Sequence, residues 1–168
     1  MRNKDAEVTS IDPQGVVSMP VDSDGWANLY AGHHRRLRGL AAAVTFDQSI
    51  ADEIVHDAYA GLFACKADVE NPVGYLQRSV INLSINATRR RRLFRALPQR
   101  RAQDVATPEV DEMWSAIGEL PARQRAVVVL RFYEDQSHAQ IAEILGIPIG
   151  TVKSTLHRAL NTLKEHLT

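Results

Sequence analysis

From Trp26 onward, apolar positions recur at three- and four-residue steps, and nowhere in the two-residue rhythm of a strand. Leu29, Tyr30, His33, Leu37, Leu40, Ala41 and Val44 share one face of a first predicted helix. A second runs from about Ser49 to Cys65, with Ile50, Ile54, Val55, Ala58, Leu62 and Phe63 as its apolar set. After Asn71-Pro72, a third spans about Val73 to Arg92 and carries Tyr75, Leu76, Val80, Ile81, Leu83 and Ile85. Periodicity fails over residues 93–108, which hold two prolines and several arginines and read as a flexible basic linker. The helical pattern returns near Glu109 with Met113, Trp114, Ile117 and Leu120. Pro121 then stands at the first turn of a helix running to about Tyr133, and two more helices follow. Residues 1–25 mix Asp, Ser, Pro and Gly without a period, and read as a disordered tail in which Met19 is an alternative start. The expected fold is all-α, with two small helical domains at 26–92 and 109–168.

The most specific local pattern lies between Ser137 and Leu163. Ser137 and Gln140 have the spacing of a capping box, in which hydroxyl and amide each satisfy a free backbone N–H. Ile141, Ala142 and Leu145 are predicted to face inward, and Gly146 to end the helix in a left-handed conformation. Ile147 and Pro148 make the turn, and Val152 and Leu156 return the next helix to the core. A small residue at the crossing, a glycine in the turn and a buried branched residue beyond it are what a DNA-binding helix-turn-helix requires. A plain helical hairpin is the alternative. Against it stand Thr151, Lys153, Ser154, His157, Arg158 and Asn161, all hydrogen-bonding and on the predicted outer face.

Charge sharpens the picture. The 168 residues carry no formal net charge, yet from Arg78 to Arg101 every charged residue is an arginine. Acids flank this basic centre, so local potential matters more than the sum. The single cysteine, Cys65, excludes an intramolecular disulfide and reads as a small buried hydrophobe. There is neither an apolar run of about 20 residues nor a signal-peptide pattern, so the expected compartment is the cytoplasm.

Leu120-Pro121, Arg125, Leu130-Arg131, Glu134-Asp135, Ile141-Ala142, Leu145-Gly146, Gly150 to Ser154 and His157-Arg158-Ala159 resemble region 4 of the extracytoplasmic-function (ECF) sigma factors. The resemblance implies a −35 promoter reader with contacts at Thr151, Lys153, Ser154, His157 and Arg158. Thr155 departs from it, standing where many members have Arg. Upstream, Ala51 to Tyr59 with Leu62-Phe63 resembles the family's polymerase-binding helix, implying core polymerase contacts at Asp52, Glu53, His56 and Asp57. His56 replaces the usual Gln, and read alone these acids favour a solvated helix face. Asn71 to Arg78 and Asn82 to Arg92 resemble the segment that melts and reads the −10 element. This implies roles for Tyr75, Arg78, Asn82, Asn86, Arg89, Arg90, Arg91 and Arg92. Tyr75 is equally readable as a core residue. The four arginines are alternatively a helix C-terminus offsetting its dipole, although phosphate contact is favoured.

The resemblance thus implies a promoter-specificity subunit that binds core RNA polymerase and promoter DNA and is controlled by an anti-sigma factor. Elements about 17 base pairs apart span near 60 Å. Residues 93–108 reach at most about 55 Å extended, which two domains can supplement. A helix-turn-helix regulator working without polymerase is the other reading, and the match upstream of residue 93 argues against it. An enzyme is disfavoured: no phosphate loop or nucleophile motif occurs, no cofactor is implied, and His33-His34 point to different faces as a metal pair.

Overall fold

The computed structural model describes residues 23–65, 69–94 and 108–167. The predicted tail, apart from its last residues, and the body of the predicted linker lie outside these residues. Seven helices follow in order: α1 (Ser23–Thr45), α2 (Ala51–Ala64), α3 (Pro72–Phe94), α4 (Pro108–Glu119), α5 (Ala122–Val128), α6 (His138–Leu145) and α7 (Ile149–His166). A 3-10 turn, Gln48–Ile50, leads into α2, and a π turn, Val129–Tyr133, extends α5. Among the described residues there is no strand, and no helix is long and apolar enough to cross a membrane.

The N-terminal half is a three-helix bundle. Leu37, Leu40 and Val44 from α1, Val55 from α2, and Leu76, Val80 and Ile81 from α3 are almost wholly removed from water. Side chains of this size each contribute about 1.5–3 kcal/mol on burial. Two local signals fix where helices begin. Asp47 accepts from the Ser49 N–H at 2.8 Å and caps the 3-10 turn. Asn71 accepts the Gly74 N–H at 2.8 Å and caps α3, with Pro72 as its first residue. A Cβ on Gly74 would stand 2.7 Å from the Asn71 side chain, so glycine makes room for the cap.

In the C-terminal half Leu120, Val127, Leu130, Ile141 and Val152 form the centre. The capping box is complete: Ser137 Oγ accepts from the Gln140 N–H at 3.2 Å, and Gln140 Oε1 accepts from the Ser137 N–H at 2.8 Å. Gly146 ends α6 at φ 63° and ψ 37°.

Several expectations need correction. Cys65 is exposed, because α2 ends one residue earlier and the chain turns outward there. Phe63 is 74 % exposed, one step beyond the inward-facing Leu62. Pro121 sits just before α5 rather than within its first turn. That helix widens into π geometry after Val128 instead of continuing regularly to Tyr133.

A Cβ at Gly146 would meet nothing within 4 Å, so Gly146→Ala isolates the cost of the left-handed backbone. We expect a loss of about 1–2 kcal/mol in urea unfolding; an unchanged midpoint would mean that the turn relaxes.

Candidate nucleic-acid interface

On α7 the inward row is Val152, Thr155, Leu156, Ala159 and Leu163, all buried. The outward row is Lys153, Ser154, His157, Arg158 and Asn161, all exposed, with Thr151 half-buried at its edge. Thr155 therefore lies beneath the outward row and takes no place on it. The outer side chains are partly pre-arranged. Arg158 Nε donates to the Ser154 carbonyl at 3.3 Å, and the Asn161 amide lies 3.1 Å from the His157 ring. No side chain caps the start of α7 behind Pro148. Its first N–H groups and the positive end of its dipole are therefore open to a phosphate.

On α3 a second outward row forms. Arg78, Asn82, Asn86 and Arg90 follow at four-residue steps and are exposed, with Arg89 beside them. The opposite face packs Leu76, Val80, Ile81 and Ile85 into the bundle. The remaining members of the predicted set are placed differently. Tyr75 is half-buried, and its hydroxyl lies close to Gly61 on α2, where an added Cβ would stand 3.2 Å away. Arg91 pairs with Asp47 inside the N-terminal half. Arg92 donates to the Glu119 carbonyl at 3.2 Å. The run of four arginines is thus divided: Arg89 and Arg90 face solvent, Arg91 is half-buried against Asp47, and Arg92, itself exposed, reaches the Glu119 carbonyl.

On α2, Asp52, Glu53, His56 and Asp57 are all exposed and share one face. Asp52 is engaged by Arg38, whose Nε donates to it at 2.7 Å, and lies 3.9 Å from His34. His34 stacks on Tyr30, with ring centroids 4.4 Å apart. Tyr59 beneath donates to the Leu29 carbonyl at 3.3 Å, and burial, with Tyr30 beside it, pushes its hydroxyl up to about 12.

Three side chains that shape this surface carried no functional weight in the sequence reading: Phe46, Arg125 and Glu134. Arg125, which like Glu134 enters only through the resemblance, is 3 % exposed. It donates to the carbonyls of Ile117, Gly118 and Leu120 at the end of α4, and to that of Val44 near the end of α1. Glu134 meets Arg36 and Gln77 across the two halves. No local pattern marks the long-range members of this set, because the Arg36, Gln77 and Val44 partners lie 57 to 98 positions away.

The profile for sigma-70 region 2 matches residues 29–94, and that for sigma-70 region 4 matches residues 111–163. The RNA polymerase sigma-E factor of Streptomyces antibioticus is 34% identical over 162 residues, which span 92% of this chain and 76% of that protein. The ECF RNA polymerase sigma factor SigE of Mycolicibacterium smegmatis is 28% identical, across 94% of this chain and 69% of its own length. Two solved structures share the fold. The sigma factor RpoE from Bartonella quintana, crystallised with the anti-sigma factor NepR, aligns with TM-score 0.63 at 22% identity, over 84% of this chain and 96% of that one. CnrH, solved with the cytosolic domain of CnrY, aligns with TM-score 0.65 at 21% identity, over 88% and 90%.

Burial opposes ionisation of Asp47, but hydrogen bonds from Ser49 and Arg91, with the Arg91 charge, outweigh it and hold the carboxyl below its usual value. A carboxyl depressed on folding adds stability above its unfolded value and loses it as pH falls through the folded one. Asp47→Asn should therefore lower the urea midpoint near neutral pH and shrink the loss on acidification below about 4. Parallel pH profiles for the two proteins would contradict this.

Proposed function

Because the chain belongs to the sigma-70 family, and to its ECF branch, we propose that it binds core RNA polymerase and directs promoter-specific initiation as follows. The observation that carries the reading is the pair of outward polar rows, on α7 and α3, held on separate halves of one chain.

Residues 109–168 serve as the −35 domain. The helix-turn-helix presents α7 to a major groove. Lys153 and Arg158 supply charge for phosphates or guanine edges, and Ser154, His157 and Thr151 add hydrogen bonds. Residues 26–92 serve as the −10 domain. Opening the duplex costs a few kcal/mol per extruded base, offset by surfaces that hold single-stranded bases. On α3, Asn82 and Asn86 offer amides to base edges, while Arg78, Arg89 and Arg90 offer cations to the backbone. Tyr75, Arg91 and Arg92 join this surface only if their present contacts are exchanged for DNA. Asp52, Glu53, His56 and Asp57 on α2 form the docking face for core polymerase. Catalysis resides in the polymerase, so this chain needs no cofactor and works in the cytoplasm beside it. Control by an anti-sigma factor extends to this chain what the Bartonella quintana neighbour was solved with.

In vitro transcription from a promoter library, with core polymerase alone and with the protein added, tests the reading. New start sites sharing elements near −35 and −10 are expected. A shift of duplex DNA without new transcripts would favour a regulator independent of polymerase. Lys153→Ala and Arg158→Ala should each cut promoter-specific transcription about tenfold or more and lower the salt slope of binding by about one, while the protein still co-elutes with core polymerase. Normal transcription by both variants would remove α7 as the reader.

A further inference from the structure

Lys153, His157 and Asn161 follow at four-residue steps and form one exposed ridge of α7. From Lys153 to Asn161 the helix rises about 12 Å, the length of about three to four base pairs. Asn161 therefore stands at the far end of the outward row, where the family resemblance assigns no contact. Its amide nitrogen lies 3.1 Å from His157 Nε2. An amide nitrogen can only donate, so Nε2 is the acceptor and the ring carries its proton on Nδ1. Neither neighbour on the next ridge competes for the ring. Arg158 Nε donates to the Ser154 carbonyl at 3.3 Å, and the Thr162 hydroxyl donates to the Arg158 carbonyl at 3.1 Å.

This bond sets which way the Asn161 amide faces. One N–H is engaged by the ring, and the exposed remainder is one N–H and the carbonyl Oδ1. Were the amide turned over, Oδ1 would accept from the ring and two N–H donors would remain. The difference amounts to a choice of base. In the major groove adenine presents an acceptor at N7 and a donor at N6, whereas guanine presents two acceptors, N7 and O6. One donor with one acceptor matches adenine; two donors match guanine.

We propose that Asn161 is a further specificity-determining residue of α7, reading the N7 and N6 edge of an adenine. His157 is the positioning residue that holds the amide in its reading orientation, and its own Nδ1–H remains a donor. The proposal rests on the −35 role of α7 given above, and adds to it the identity of one base pair.

The test uses the full chain with core polymerase, on a promoter from the library in which each base pair in and beside the −35 element is replaced in turn. At one position the parent should prefer adenine about tenfold over the other bases, the size of a good bidentate contact. Asn161→Ala should abolish that preference and leave the profile at the other positions intact. Asn161→Gln, which carries the same amide, should retain part of it. 7-Deazaadenine at that position removes the N7 acceptor without disturbing base pairing. It should weaken the parent and leave Asn161→Ala unaffected. His157→Ala lets the amide turn over, so discrimination between adenine and guanine at this one pair should fall, and His157→Gln, whose Oε1 can accept from Asn161, should restore it. A profile unchanged by Asn161→Ala overturns the proposal, as does a guanine preference at the position Asn161 controls. Undiminished discrimination in His157→Ala removes the positioning role. In each of these cases, loss of transcription in Lys153→Ala and Arg158→Ala keeps α7 as the reader; normal transcription by those two variants overturns both.

Discussion

Arg125 is a fully charged side chain placed where water does not reach, among the carbonyl oxygens at the ends of two helices. A helix leaves its last carbonyls without intrahelical donors and its C-terminus partly negative. One guanidinium, with five donors in a rigid fork, answers three carbonyls at the end of α4 and a fourth near the end of α1. Leu120 and the turn at Pro121 are fixed by it, and so is the angle at which α5 leaves α4. Val127 on α5 and Val152 on α7 are fully buried in the same core, so the orientation of α7 depends on the same constraint. The α1 carbonyl then extends that dependence to the other half of the molecule.

Much of this was legible in the chain. The capping box at Ser137 and Gln140 and the left-handed Gly146 depend on neighbours a few positions away, and both occur as read. The division of α7 into buried and outward rows follows from helical period alone. Recognition of both family segments rested on local runs of the same kind, and the profile matches at 29–94 and 111–163 agree with it.

What was misread or missed depended on direction or distance. Cys65 and Phe63 are apolar enough for a core, but the period near a helix end does not say on which side the final residues fall. The π turn at Val129–Tyr133 shifts hydrogen bonding by one residue within a run of apolar residues that reads equally well as regular helix. The partition of Arg89 to Arg92 required knowing that Asp47 and the Glu119 carbonyl lie beside the last two. Phe46 and Glu134 bear on partners in the opposite half, and composition carries no trace of such a pairing.

The contact between the halves has a further property, because both belong to one polypeptide. Its closing is a unimolecular event, so the closed fraction is independent of how much protein is present. Dilution cannot release it, and overexpression cannot enforce it. A ligand shifts such a balance only so far as it binds one form better than the other.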